Sequence, residues 1–173
     1  MKHLILSSSA MPGEMKIESK DISHGHFMGK NHEANIFGGE GGNISPHLAW
    51  SEAPKATQAF AIFAYDPDAP TGSGFWHWQL VNIPKHINSV PTDAGRSDST
   101  LIPSRSTQVT NDYGLVGFGG ACPPNGRTHR YQFTVYALSQ KLEIPDGASS
   151  AVVGFMVNAH SLASVTLEAL YKR

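Results

Sequence analysis

A chain of 173 residues is long enough to bury a core without disulfides or a structural metal, which excludes small stapled scaffolds. Thirteen Lys and Arg offset fourteen Asp and Glu for a formal net charge of −1, and no basic run is present that would neutralise several neighbouring phosphates. Nucleic acid is therefore not an expected partner, and 17 glycines and 11 prolines against 16 % charged residues favour turns over long helices.

At the start of the chain the apolar run is only Leu4, Ile5 and Leu6 before three serines, shorter than the ~7–15 residues of a secretion signal. The single cysteine, Cys122, has no partner for an intramolecular disulfide, so a reducing, cytoplasmic setting is the simpler expectation. Every hydrophobic run is interrupted well before the ~18 residues of a spanning helix, so no integral membrane association is expected. Without repeats or composition breaks, residues 1–14 read as an N-terminal segment and 15–173 as a single domain.

In chain order, weak strand signals at 15–18 and 48–50 precede three segments that alternate at period two: 60–65, 76–83 and 129–138. Pro- and Gly-rich connections separate them, notably 66–74 and 117–126. The C-terminal stretch reads as a helix. Val152, Val153, Met156, Ala159, Ala163, Thr166, Leu167 and Leu170 approximate an i, i+3, i+4 stripe. Its start is signalled by Asp146, Gly147 and the serines at 149 and 150, and Lys172 and Arg173 fall where a last turn favours cations. Strands first and a helix last predict a mainly β protein, a β-sandwich carrying helices at its periphery, rather than βαβ units. No strand-Gly-x-Gly-x-x-Gly-helix unit is present to suggest a dinucleotide cofactor.

Alternation places His129, Tyr131, Phe133, Val135 and Ala137 on one face of their strand. Phe60, Ile62 and Ala64 share a face that continues to Asp66, and His77 is expected beside Gln79, Val81 and Ile83. Polar groups thus stand at three strand ends. If those ends converge they form a small polar pocket at the rim of an apolar core. Each residue taken alone also has a structural reading. A strand-end histidine is commonly a hydrogen-bonded structural group, Asp66 can be a turn aspartate ahead of Pro67, and Asp68 reads as structural. The glycines of 117–126 can turn consecutive N–H groups toward one point to make an anion-binding concavity, although the segment lacks the Gly-Lys-Ser/Thr ending of a nucleotide loop. Cys122 carries no sign of activation and reads as inert packing.

Asp66-Pro67-Asp68-Ala69-Pro70, Gly74-Phe75-Trp76-His77-Trp78, Gly117-x-Gly119-Gly120, Cys122-Pro123-Pro124-x-Gly126 and His129-Arg130-Tyr131 occur in one order along the chain. Together with Gly42-Asn43-Ile44-Ser45-Pro46 and His160-Ser161-Leu162-Ala163-Ser164 they closely resemble the phosphatidylethanolamine-binding protein family, in its bacterial, Raf kinase inhibitor-like branch. The resemblance spans roughly residues 15–170. It implies an antiparallel β-sandwich with a few peripheral helices, one of them C-terminal, and a pocket for phosphate-like groups. By motif position that pocket is formed by Asp66, His77, Pro124, His129 and Tyr131, with Gly120 adjoining. Ala121 stands where the family more often has proline. Relatives of the bacterial branch also suggest a homodimer.

The chemistry expected at such a site is donation from His77, His129 and Tyr131 to phosphoryl oxygens, with backbone N–H groups near Gly120 as fixed donors and Asp66 orienting a histidine. Affinity is then expected to fall as pH rises and the histidines lose charge. The leading expectation is a regulatory module that binds a phosphate-like or phospholipid-headgroup-like ligand without turnover or cofactor. The alternative is a hydrolase of phosphoesters, with Asp66, His77 and His129 holding a metal ion. A third reading has the pocket and its rim regulating a kinase or protease partner.

Overall fold

In the computed structural model, residues 3–5 and 14–173 are described. The three alternating segments become the long strands of one sheet: β4 (Ala59–Asp66), β5 (Phe75–Pro84) and β8 (Thr128–Leu138). With β1 (His3–Ile5), β7 (Thr107–Gln108) and β9 (Ser161–Lys172) they form a six-stranded sheet in the order β1-β9-β8-β4-β5-β7. The weaker signals give β2 (Lys16–Glu18) and β3 (Leu48–Ser51), which join β6 (Ser89–Val90) in a three-stranded sheet ordered β2-β3-β6. Among the described residues, the pairings between these strands are antiparallel except β1 with β9. Residues 3–5 pair with β9 in the larger sheet; of the expected N-terminal segment, residues 1–2 and 6–13 lie outside the described residues.

Alternation decides which residues fill which core. Phe60, Ile62 and Ala64 of β4 and Tyr131, Phe133, Val135 and Ala137 of β8 face the small sheet, where Leu48 and Trp50 of β3 meet them. The opposite face of the large sheet, with Ala61 and Phe63 of β4 and Tyr136 and Leu138 of β8, is covered by Val153 and Val157 of a helix, α1 (Ser150–His160). The molecule is thus small sheet, large sheet, helix, and the only other helical element among the described residues is a 3-10 turn at Lys30–His32.

The helix begins where the capping residues place it: the Ser149 side chain accepts the Val152 N–H at 3.2 Å. It ends at His160. Residues 161–172, expected to continue it, form β9 and pair along the whole of β8, from Leu138↔Ser161 to Thr128↔Lys172. The sequence here satisfies both periods: Ala163, Thr166, Leu167 and Leu170 fit a helical stripe, while Val165, Leu167, Ala169 and Tyr171 fit alternation and fill the core. The unpaired edge of β8 decides the matter, because β9 satisfies a row of backbone donors and acceptors that would otherwise be left open. Replacing Ser149 by alanine is expected to lower stability by about 1 kcal/mol, the usual value of one N-cap, and chemical denaturation will read it directly. Among the described residues, no helix is long and apolar enough to cross a membrane.

One expectation about a face fails for an identifiable reason. The β4–β5 register steps from Ala64↔Trp78 to Tyr65↔Trp76, leaving His77 as an extra residue, and from Ile62↔Leu80 to Phe60↔Ile83, leaving a second at 81–82, where Asn82 has φ +57°. Each bulge reverses the alternation. Val81 therefore lies in the helix-covered core, and Gln79 Nε2 donates to the Ser150 carbonyl at 3.0 Å. Trp78, Leu80 and Ile83 lie in the inter-sheet core. His77 shares no face with Gln79 or Val81, and the bulge turns it toward Tyr131.

Candidate functional site

Antiparallel pairing brings the end of β4, the start of β5 and the start of β8 to one edge of the large sheet, because Asp66 stands opposite Phe75 and Tyr65 opposite Gln132. There a pocket of ≈ 290 Å³ opens, at the lower limit of small-molecule sites. Five of the six sequence-predicted residues line it: Asp66, His77, Pro124, His129 and Tyr131.

Asp66 is buried, and both of its oxygens accept hydrogen bonds: Oδ2 from His129 Nδ1 at 2.8 Å and Oδ1 from the Asp68 N–H at 2.8 Å. The turn role and the histidine-orienting role are thus held together by one carboxylate. Asp68 is structural, as expected. Its carboxylate accepts from Arg130 Nε at 3.0 Å and Nη2 at 2.8 Å, and this fork holds its carboxyl below the usual range.

His77 Nδ1 donates to the Gly119 carbonyl at 2.8 Å, and the Gly119 N–H returns to the His77 carbonyl at 2.8 Å. Burial of the ring, partly offset by that bond and by the Asp66 carboxylate, pushes its pKa below the ordinary histidine value. A pH dependence through loss of positive charge on His77 is therefore not expected: its imidazole is already neutral near pH 7. The Tyr131 hydroxyl is buried and makes no hydrogen bond with the protein, and burial followed by the nearby Asp66 carboxylate raises its pKa, so it stays a phenol.

The sixth residue, Gly120, does not line the pocket. Its N–H donates to Asn43 Oδ1 at 2.8 Å and its carbonyl accepts from the Tyr113 hydroxyl at 2.9 Å. A Cβ at this position would stand 2.5 Å from the Ala34 nitrogen, so glycine is required by close backbone packing against 32–34. The Gly119 amide serves His77, and the Ala121 N–H donates to the His32 carbonyl at 3.0 Å. The expected anion-binding concavity of loop amides is therefore corrected: all three amides are committed to holding the loop in place.

Among the lining residues that the sequence did not mark as part of a site are Tyr113, Arg173 and Cys122. Tyr113 packs edge-on to Phe75, with ring centroids 4.6 Å apart, and stacks on the exposed Phe37 at 5.4 Å. Its local signal, Asn111 Oδ1 accepting the Tyr113 N–H at 2.9 Å, marks an Asx turn and nothing about a site. Arg173, assigned to a helix end, binds the Pro123 carbonyl through Nε at 2.8 Å and the Gly38 carbonyl through Nη1 at 2.9 Å. It is the one permanently cationic side chain of the pocket lining. Cys122 was read as inert packing. It stands in the wall, and Sγ–H donates to the Phe37 carbonyl at 3.4 Å.

The family model described as phosphatidylethanolamine-binding protein matches residues 18–172. The chain belongs to the phosphatidylethanolamine-binding protein family. Among its relatives, the UPF0098 protein YbcL of Escherichia coli K12 is 45 % identical, with 99 % of each chain covered. YbhB of the same organism is 46 % identical over 91 % of this chain and 99 % of its own. The crystal structure of E. coli YbcL superposes with a TM-score of 0.90 at 46 % identity, covering 92 % of this chain and 99 % of that one. The resemblance leads to an expectation of proline where Ala121 stands. The Ala121 N–H bond to His32 is one that a proline could not make.

Proposed function

We propose that this member of the family is a regulatory module that binds a small ligand through one phosphoryl group and acts by occupancy, without turnover. The Tyr131 hydroxyl carries the reading. It is a buried donor in the pocket that no protein group engages in a hydrogen bond, the nearby Asp66 carboxylate being already bonded to His129 and Asp68, and such a group costs about 1–3 kcal/mol unless a ligand supplies an acceptor. Phosphoryl oxygens are strong acceptors, and Arg173 adds the positive charge that balances them. A site for one phosphate needs only such local groups, which agrees with a net charge of −1 over the whole chain. The binding reading is supported by the surroundings of the pocket thiol: Cys122 Sγ is hydrogen-bonded to a backbone carbonyl rather than to an imidazole, so this thiol is not paired with a base. Asp66, His77 and His129 meet in one pocket, yet among the described residues no group of three His, Cys, Asp or Glu is placed to share a metal ion.

Titration with inorganic phosphate and with phosphoethanolamine is expected to move the imidazole resonances of His77 and His129. Unmoved spectra at millimolar ligand would overturn the proposal. Tyr131→Phe is expected to weaken binding by about 10–100-fold, the value of a hydrogen bond to a charged group, while leaving stability unchanged or slightly raised.

A further inference from the structure

On the phospholigand reading just given, the donor–acceptor balance of the pocket also determines which protonation state of the ligand fits. Both pocket imidazoles have Nδ1 committed, His77 to the Gly119 carbonyl and His129 to Asp66 Oδ2, each at 2.8 Å. Burial keeps the His77 ring neutral, and a neutral imidazole carries one N–H, so its Nε2 is left as a lone pair. The amides of 119–121 are turned into the loop's own bonds. On the donor side stand the Tyr131 hydroxyl and the remainder of the Arg173 guanidinium, whose Nε and Nη1 already hold Pro123 and Gly38. On the acceptor side stand the His77 Nε2 and the Asp66 carboxylate.

A fully ionised phosphoryl group only accepts, and two of its neighbours here, the His77 Nε2 and the Asp66 carboxylate, would face it with lone pairs. A phosphoryl group that keeps one proton can give it to an imidazole Nε2 while its other oxygens accept from Tyr131 and Arg173. We propose that the pocket selects a phosphoryl group carrying its own proton, a phosphomonoester or inorganic phosphate as the monoanion, over a phosphodiester. His77 is the acceptor best placed for that proton, since burial keeps its ring neutral. The groups around it are Asp66 from β4, Tyr131 from β8, and Tyr113 and Asp112 from the connection after β7, with Cys122 and Arg173 across the pocket. Both phenols are held protonated by burial, so neither competes for the proton as a base.

Calorimetry of the full chain at pH 7.5 tests this, using phosphoethanolamine as monoester and glycerophosphoethanolamine as diester, in two buffers of different protonation enthalpy. A free monoester has its second pKa near ~6, so binding as the monoanion takes up about one proton. The monoester is expected to bind about tenfold or more tightly than the diester, a factor matching one hydrogen bond. His77→Asn keeps a donor for Gly119 but removes Nε2, and is expected to bring the two affinities close together. Should that variant not fold, proton uptake and selectivity of the unmodified protein still decide. Equal or tighter diester binding, monoester binding without proton uptake, or a His77 nitrogen shift typical of imidazolium in the complex would overturn the inference while leaving the phospholigand reading intact. Failure of both probes to bind would overturn the two together.

Discussion

Trp78→Ala is expected to lower stability by about 3–5 kcal/mol, the range for removing a large aromatic from a packed core. The side chain is fully buried, the largest of those in the core, and its ring meets Phe118 edge-on with centroids 5.9 Å apart. Its indole N–H donates to Gln108 Oε1 at 2.7 Å, which ties β5 to β7 at the end of the sheet. Alanine therefore leaves a cavity and also an acceptor without its donor. The loss should reach the pocket as well, because Phe118 leads directly into Gly119, whose carbonyl holds His77. Urea unfolding followed by circular dichroism measures the first effect, and the imidazole resonance of His77 reports the second. A loss below about 1 kcal/mol would mean that the two sheets collapse onto the vacated space, contrary to a core held open by three neighbouring strands.

Trp78 also shows where the sequence is legible and where it is not. Its strand was readable because apolar and polar residues alternate around it, and the same signal located β4 and β8 and the inward face of each. The convergence of Asp66, His77, His129 and Tyr131 followed from polar residues at three strand ends, together with motifs in a recognisable order. The direction of His77 was not readable. It depends on a bulge, and an extra residue leaves no mark in composition; only the pairing of Ala64 with Trp78 and of Tyr65 with Trp76 reveals it. Residues 161–172 failed for a different reason. Their apolar positions fit two periods at once, and the choice was made by the open edge of β8, a partner more than twenty residues away in sequence for most of its length.

Gly120 illustrates a third kind of limit. A glycine-rich loop beside a pocket reads equally as a cradle for an anion or as a segment packed too tightly to admit side chains, and only the neighbours decide between them. Here they are Ala34 and Asn43, distant in sequence, and Tyr113, seven residues before it, all placed by loops without periodicity. Arg173 and Tyr113 were missed for the same reason: their role comes from what lies across the pocket, not from their own segment. The residues that the sequence located best are those whose position on a strand fixes their direction.

Asp66 is the residue through which fold and pocket are most tightly joined, and substitutions there should separate its roles. Asp66→Ala removes one acceptor from two donors, His129 Nδ1–H and the Asp68 N–H, both now held at 2.8 Å. With the site buried, leaving both unsatisfied is expected to cost about 3–5 kcal/mol. Asp66→Asn keeps one carbonyl oxygen for the Asp68 N–H and presents its amide to the histidine. His129 can then satisfy that amide by moving its proton to Nε2, so stability should fall by only about 1–2 kcal/mol. The exchange has a separate signature: the Nε2 of His129 becomes a donor toward the pocket, visible in nitrogen chemical shifts as a change of tautomer. The same variant should also improve binding of a fully ionised phosphoryl group relative to a protonated one, since a carboxylate charge has been removed from the pocket wall. Denaturation midpoints of the two variants, taken with the His129 shifts, decide the matter. If alanine costs no more than asparagine, or if His129 keeps its tautomer in Asp66→Asn, the carboxylate is not the shared acceptor that orients the pocket.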